Sequence, residues 1–243
     1  MQYQAQTGFL QDKIILVTGA GDGIGQAAAK AYARYGATIV LLGRTTSKLE
    51  KTYDEIVDAG SPEPAIYPMN LEGASPKDHE DLADTLTQQF GALHGLLHNA
   101  ATLGTVTPIE QYDIELWYKV MQVNLNAPFV MTQSLLPLLR KTPGSKILFT
   151  ADTKTHAYWG AYGVSKDACN SFMKILADEM DTENQPVQVN AIHPGVVRTQ
   201  MRVRAFPGED PNNHPLPDDI MAAYLYAMSE DCKEIGQIIQ AQD

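Results

Sequence analysis

The chain predicts an α/β fold, one doubly wound parallel sheet of about seven strands with helices on both faces. Three observations point to it. Strand-like and helix-like segments alternate from end to end, as in a parallel sheet whose strands are joined by crossover helices. A compact apolar run at residues 13–18 leads straight into a glycine-rich turn, Thr18-Gly19-Ala20-Gly21-Asp22-Gly23-Ile24-Gly25. The 243 residues are 44% hydrophobic and 19% charged, which suits one domain (1–243) with a sizeable core better than two domains or disorder.

The elements follow in order. Residues 23–35 are Ala-rich and helical, and Gly36 ends them. A second buried strand spans 38–42. Ser47 with Glu50 reads as a capping box opening a helix to about residue 59, closed by Gly60. A third strand covers 65–69. Ser75-Pro76 joins a capping residue to a proline at the first helical position, and that helix ends at Gly91. Residues 93–98 and 146–150 are the fourth and fifth strands, separated by a long helical stretch, 112–140, that Pro128 and Pro137 interrupt. A second long helix spans 161–180, followed by a strand at 187–192, a helix at 217–228 and a last strand at 236–240. Residues 199–217 hold four prolines and show no periodicity, which suits a flexible substrate lid.

Bulk properties exclude several function classes. A net charge of −11 opposes binding to a phosphate backbone, which needs clustered Lys and Arg. There is no run of 18 apolar residues to cross a bilayer. The start of the chain lacks both the basic segment and the apolar core of a signal peptide, so a cytoplasmic location is expected. The two cysteines, Cys169 and Cys232, show no metal-type spacing and read as free thiols.

The glycines at 19, 23 and 25 permit a tight turn, close approach of backbone to a pyrophosphate, and close helix–strand packing. Gly19, Gly23, Ile24 and Gly25 are therefore assigned to a dinucleotide, with the helix N-terminus aimed at its phosphates. The second strand ends Leu42-Gly43-Arg44-Thr45. An arginine there favours a 2′-phosphate through charge-assisted hydrogen bonds, hence NADP, with NAD as the alternative. Asp22 opposes that preference by charge.

Tyr162 and Lys166 stand four apart on a helix and so share one face. A phenol titrates near pH ~10. A fixed neighbouring ammonium favours the phenolate and would lower that value, giving an acid/base able to work near neutrality. A dinucleotide cradle followed by such a phenol points to redox chemistry.

Together these residues resemble the short-chain dehydrogenase/reductase family over nearly the whole chain. The resemblance implies a Rossmann-type sheet, a nicotinamide cofactor, and hydride transfer between a carbonyl and a secondary alcohol. Asn70-Leu71 resembles the family's adenine-pocket pair, with amide replacing acid. His98-Asn99-Ala100-Ala101 resembles its Asn-Asn-Ala-Gly turn, in which Asn99 would hold the central sheet and Ala100 lie against the cofactor. In Pro194-Gly195-Val196-Val197-Arg198-Thr199, which is similar to the loop after the sixth strand, the Val197 backbone and Thr199 hydroxyl would meet the nicotinamide carboxamide. Val123-Asn124-Leu125-Asn126 places Asn124 at the catalytic asparagine, whose carbonyl is thought to hold a relay water. Pro128 supports this, because it has no N–H to take the Asn124 carbonyl. A homodimer or homotetramer joined through the two long helices is implied too.

One departure is serious. The family's serine, which hydrogen-bonds the substrate oxygen, is absent, and Asp152 falls on its position. An ionised carboxylate donates no hydrogen bond and would raise the pKa of the tyrosine. A threonine hydroxyl, from Thr150 or Thr153, is the first resolution. Impaired catalysis is the second, and a protonated Asp152 acting as donor is the third. The competing function is accordingly a dinucleotide-binding protein with weak or no catalysis. A Rossmann methyltransferase would leave the Tyr162/Lys166 pair unexplained. His98, His156 and His193 lack partners at metal-ligand spacing and read as structural. Trp159 either walls the pocket or packs beneath the lid, and Arg202 and Arg204 read as solvated lid charges.

Overall fold

The computed structural model describes residues 3–181 and 186–242. Seven parallel strands form one sheet in the order β3-β2-β1-β4-β5-β6-β7. They are β1 (Ile14–Thr18), β2 (Thr38–Gly43), β3 (Ala65–Pro68), β4 (Gly95–His98), β5 (Lys146–Thr150), β6 (Gln188–His193) and β7 (Ile238–Gln240). A parallel sheet is covered on both faces, so its strands read as continuous apolar runs. Accordingly β4 and β5 are buried at every position. The strand order reverses between β1 and β4, which opens a crevice beyond their C-terminal ends.

Two hydrophobic layers sandwich the sheet. On one face lie α1 (Gly23–Arg34), α2 (Thr46–Asp58) and α8 (Met221–Met228), around Tyr32, Leu49, Ile56 and Tyr224. Ala27, Ala28 and Ala31 of α1 are buried there, small enough to bring the helix close to the strands. On the other face lie α3 (Pro76–Phe90), α5 (Ala127–Lys141) and α6 (Gly160–Met180), around Leu82, Leu86, Leu135 and Met173. Among the described residues, no helix is long and apolar enough to cross a membrane.

Local signals explain most boundaries. Ser75 accepts from the Asp78 N–H while the Asp78 carboxylate takes the Ser75 N–H at 2.7 Å, and Pro76 stands at the first helical position. Gly91 closes that helix at φ 67°. The Ser47–Glu50 capping box does not form. The helix starts two residues earlier, at Thr46 behind Thr45, so Ser47 lies inside the first turn. The stretch expected as one long helix divides into α4 (Ile114–Met121), a π-turn over Gln122–Asn126, and α5, with Pro128 in the first turn of α5. The final strand begins at Ile238 rather than 236, because Gly236, at φ 66°, still turns the chain. Residues 199–217 are more regular than expected. They contain α7 (Gln200–Ala205), capped by Thr199, and a 3-10 turn at Pro211–Asn213. Another 3-10 turn, Pro217–Ile220, replaces the expected start of α8.

Leu97 lies in the central strand β4 with no exposed surface. Leu97→Ala should lower the unfolding free energy by about 2–5 kcal/mol, read from the urea midpoint, because a cavity remains between the two layers.

Candidate functional site

The crevice is built where β1, β4 and β5 end. Thr18 Oγ1 donates to the Leu97 carbonyl at 3.2 Å and accepts from the N–H groups of Asn99 and Ala100 at 2.9 and 3.0 Å. Asn99 Nδ2 donates to the Thr18 carbonyl, and Thr150 Oγ1 donates to Asn99 Oδ1, each at 3.2 Å. Asn99 thus holds the central sheet, as the resemblance implied.

The glycine turn lies against this knot. Gly19 has φ +68° and Gly23 φ +55°, conformations that side chains rarely adopt. A Cβ on Gly25 would overlap the Gly19 carbonyl oxygen and Asn99 Nδ2, so no larger residue fits. Asp22, preceding α1, makes no side-chain cap bond, which leaves the first-turn N–H groups to a ligand. Ile24 is half-buried beside them. The charge of Asp22 is met by Lys48 Nζ at 2.5 Å, which offsets the repulsion expected between Asp22 and a phosphate. Arg44 is exposed just past β2. Asn70 is exposed, with Oδ1 accepting from the Glu72 N–H at 3.3 Å, and Leu71 beside it is buried. These residues fit a phosphate-bearing dinucleotide: a cradle that excludes side chains, a helix N-terminus, and a cation at the end of β2.

The loop after β6 closes over the same place. Gly195 turns it at φ +73°. Gln242 Nε2 donates to the carbonyls of Pro194 and Val196 at 2.6 and 2.9 Å. Val197 is buried, and the Thr199 methyl group lies 3.5 Å from where a Gly23 Cβ would stand.

Tyr162 and Lys166, in the first turns of α6, meet the end of β5. Tyr162 Oη donates to Asp152 Oδ2 at 2.9 Å. The other oxygen, Oδ1, accepts from the Thr153 N–H at 2.7 Å and lies 3.8 Å from His193 Nε2. Lys166 Nζ donates to the Thr150 carbonyl at 2.6 Å. Asp152 is therefore the residue at the end of β5 that meets the Tyr162 hydroxyl, and neither threonine does. The Thr150 hydroxyl is turned to Asn99 and to Tyr224 Oη, and Thr153 is exposed.

The electrostatics correct two expectations. Burial and the adjoining Asp152 carboxylate push the Tyr162 phenol well above its usual value, so Lys166 does not bring it toward neutrality here. Burial alone would raise Asp152, but His193, the Thr153 N–H and the Tyr162 hydroxyl together hold its carboxyl below the ordinary range. It is thus ionised at neutral pH, not the protonated donor considered above. Burial also pulls the Lys166 ammonium down, against Cys169 and Asp152, which support its charge.

Asn124 sits in the π-turn, where its side chain pairs with both backbone groups of Thr102 at 2.8 and 3.0 Å and donates to Ser165 Oγ at 3.0 Å. Pro128 cannot take its carbonyl, but that carbonyl is not free. The Cys169 thiol donates to it at 2.9 Å, from a position one helical turn beyond Lys166.

Trp159 packs both ways, its ring centroid 5.6 Å from that of Tyr162 and 5.7 Å from that of Phe206 in the 199–217 segment. Arg202 is not a solvated charge. It pairs through two nitrogens with Glu209 at 2.7 and 2.6 Å and stacks 3.6 Å over Phe206, whereas Arg204 is exposed. A cavity of about 360 Å³ opens between α1 and this segment, lined by Gly23, Lys30, Arg198 and Thr199. None of Asp152, Tyr162 or Lys166 lines it.

His98 is structural, as read: its ring faces Thr132 Oγ1 at 2.8 Å, and burial drops its pKa to about 3. His193 was missed. The signal lay in sheet register, since Thr150 pairs with Ile192 and the next residue along β6 must stand beside the end of β5. No group of three His, Cys, Asp or Glu side chains among the described residues converges as a metal site.

The short chain dehydrogenase family model matches residues 13–210. The oxidoreductase YciK of Escherichia coli K12 is 43% identical over 246 residues, covering 100% of this chain and 96% of its own. A short chain dehydrogenase structure from Pseudomonas syringae is 46% identical, with a TM-score of 0.94 and full coverage of both chains. One from Shigella flexneri, complexed with NADP, is 42% identical with a TM-score of 0.94, covering 98% of this chain and 100% of that one.

Asp152 both repels a phenolate at residue 162 and accepts from the phenol, so its removal favours ionisation. The tyrosinate absorbance assigned to Tyr162, taken as the difference from Tyr162→Phe, should move to lower pH in Asp152→Ala.

Proposed function

The chain belongs to the short-chain dehydrogenase/reductase family of oxidoreductases, and from that premise we propose NADP-dependent hydride transfer between nicotinamide and a carbonyl or secondary alcohol. The observation that carries this reading is the position of Tyr162. Its hydroxyl and the Lys166 ammonium stand at the end of β5, the strand that Asn99 ties to the glycine cradle after β1.

Gly19, Gly23, Ile24 and Gly25 would hold the pyrophosphate, Arg44 the 2′-phosphate, Asn70 and Leu71 the adenine, and Ala100 the neighbouring ribose edge. Pro194, Gly195, Val197 and Thr199 would seat the carboxamide end. When bound, the nicotinamide gives or takes a hydride with its two electrons, while the substrate oxygen exchanges one proton with Tyr162. Tyr162 stays protonated across neutral pH and so holds the proton a carbonyl oxygen needs. Lys166, held on the Thr150 carbonyl, would reach the ribose hydroxyls. Asn124 supports this arrangement by holding the π-turn, the Thr102 loop and α6 together. Residues 1–243 act as one dinucleotide-binding unit, and 199–217 serve as its substrate lid.

Ile114, Tyr118, Phe129, Val164 and Ile175 are exposed apolar side chains on α4, α5 and α6, which supports a homodimer or homotetramer through that face. The free thiols of Cys169 and Cys232 suit a cytoplasmic setting.

One contact favours the second reading, a dinucleotide-binding protein with weak catalysis. The Tyr162 hydroxyl is directed at Asp152 rather than into the open crevice. NADPH oxidation against a carbonyl panel separates the two. Turnover that Tyr162→Phe abolishes supports the enzyme; bound NADPH with no turnover, unaltered by the substitution, supports the binder. Arg44→Gln should weaken NADPH binding by about tenfold or more while leaving NADH binding unchanged, as fluorescence titration would show.

A further inference from the structure

The oxygen site of this chain presents an acceptor where a carbonyl would want a donor. Each oxygen of Asp152 has its own surroundings. Oδ1 accepts from the Thr153 N–H and faces His193 Nε2 at 3.8 Å, and the Lys154 charge favours the carboxylate as a whole. The ammonium of Lys154 is itself over the Trp159 ring, 5.6 Å from its centroid. Among the described residues, Oδ2 accepts from Tyr162 Oη alone. The carboxyl is only 20% exposed, so water is a poor substitute partner. When Tyr162 gives its hydrogen bond to a substrate oxygen, Oδ2 loses its one donor, and a half-buried charge without a partner is costly. A substrate that engages Tyr162 must therefore bring a donor of its own.

Tyr162 Oη and Asp152 Oδ2 are 2.9 Å apart, so one small molecule meets both through adjacent polar atoms. The atom on Tyr162 is the reacting oxygen. Its neighbour must donate to a carboxylate, and a cationic nitrogen does so by a charge-assisted bond roughly twice as strong as a neutral one. The net charge of −11 draws cations toward the protein at long range.

We propose that the substrate is a 1,2-amino alcohol or the corresponding α-amino ketone, its oxygen on Tyr162 and its ammonium on Asp152 Oδ2. This rests on the hydride-transfer reading given above and names the substrate class for the same site. Asp152 is then the specificity-determining residue. In place of a donor that polarises any carbonyl, the chain selects substrates whose own positive charge lies beside the reacting carbon.

The test is a matched series, 1-amino-2-propanone, 1-hydroxy-2-propanone and 2-butanone, reduced with NADPH at a pH where the amine is protonated. The amine should exceed 2-butanone by about tenfold or more in kcat/KM, about 1.4 kcal/mol, with the hydroxyketone between them. Asp152→Asn keeps the shape and removes the charge, so it should reduce the amine to the level of the hydroxyketone. Asp152→Ser should raise the turnover of 2-butanone. A second readout needs no turnover: in NADP-saturated Tyr162→Phe, the amine should raise the melting temperature and 2-butanone should not. Equal kcat/KM for amine and 2-butanone, or a preference that survives in Asp152→Asn, overturns the proposal. If no member of the series reacts, equal thermal shifts overturn it and a shift specific to the amine upholds it. Loss of NADP binding, or turnover indifferent to Tyr162→Phe, sinks the hydride-transfer reading itself; Tyr162-dependent turnover without a nitrogen preference sinks only the substrate class.

Discussion

Asn99 ties three strand ends into one edge, and the site depends on that edge. Its backbone N–H and side-chain amide are both spent on Thr18, and its side-chain oxygen is spent on Thr150. Each bond is worth only about 0.5–1.5 kcal/mol net. Their effect is positional: the glycine turn leaves from Thr18, and the strand ending at Thr150 delivers both Asp152 and the carbonyl that receives Lys166. Sheet edge, nucleotide cradle and phenol are thereby fixed relative to one another before any ligand arrives. The close approach of Gly25 to Gly19 and Asn99 completes the edge, since a single methyl group there would push it apart.

Within that frame the charge pattern is unusual. A phenol, a carboxylate and an ammonium share a buried corner, and the carboxylate lies closest to the phenol. Burial and the carboxylate act together to keep the phenol protonated, while its partners keep the carboxylate ionised. Lys166 is engaged by a backbone carbonyl and shares its surroundings with Cys169. The result is a strong hydrogen-bond pair with a proton on one side and a charge on the other.

The sheet and its crossovers were legible because their signals are local. Apolar runs, glycines after helices and the Ser75-Pro76 cap each involve residues a few positions apart. The capping box read at Ser47 gave way to Thr45, a similar hydroxyl residue two positions earlier. The site was legible where it follows motifs, as with Asn99, Tyr162 and Asp152. It was illegible where contacts join distant segments. Cys169 reaches the Asn124 carbonyl from another helix, and His193 meets Asp152 only through the pairing of β5 with β6. The 199–217 segment lacks periodicity because it is held by Arg202, Glu209 and His214 rather than by an amphipathic face.

Gln242 extends this scaffold to the far end of the described chain. Its amide laces the carbonyls of Pro194 and Val196 to the strand beside them, on the very loop that Gly195 bends. Gln242 and the loop after β6 therefore behave as one mechanical piece. Anything that displaces this glutamine would be felt along the same loop, at Val197 and Thr199.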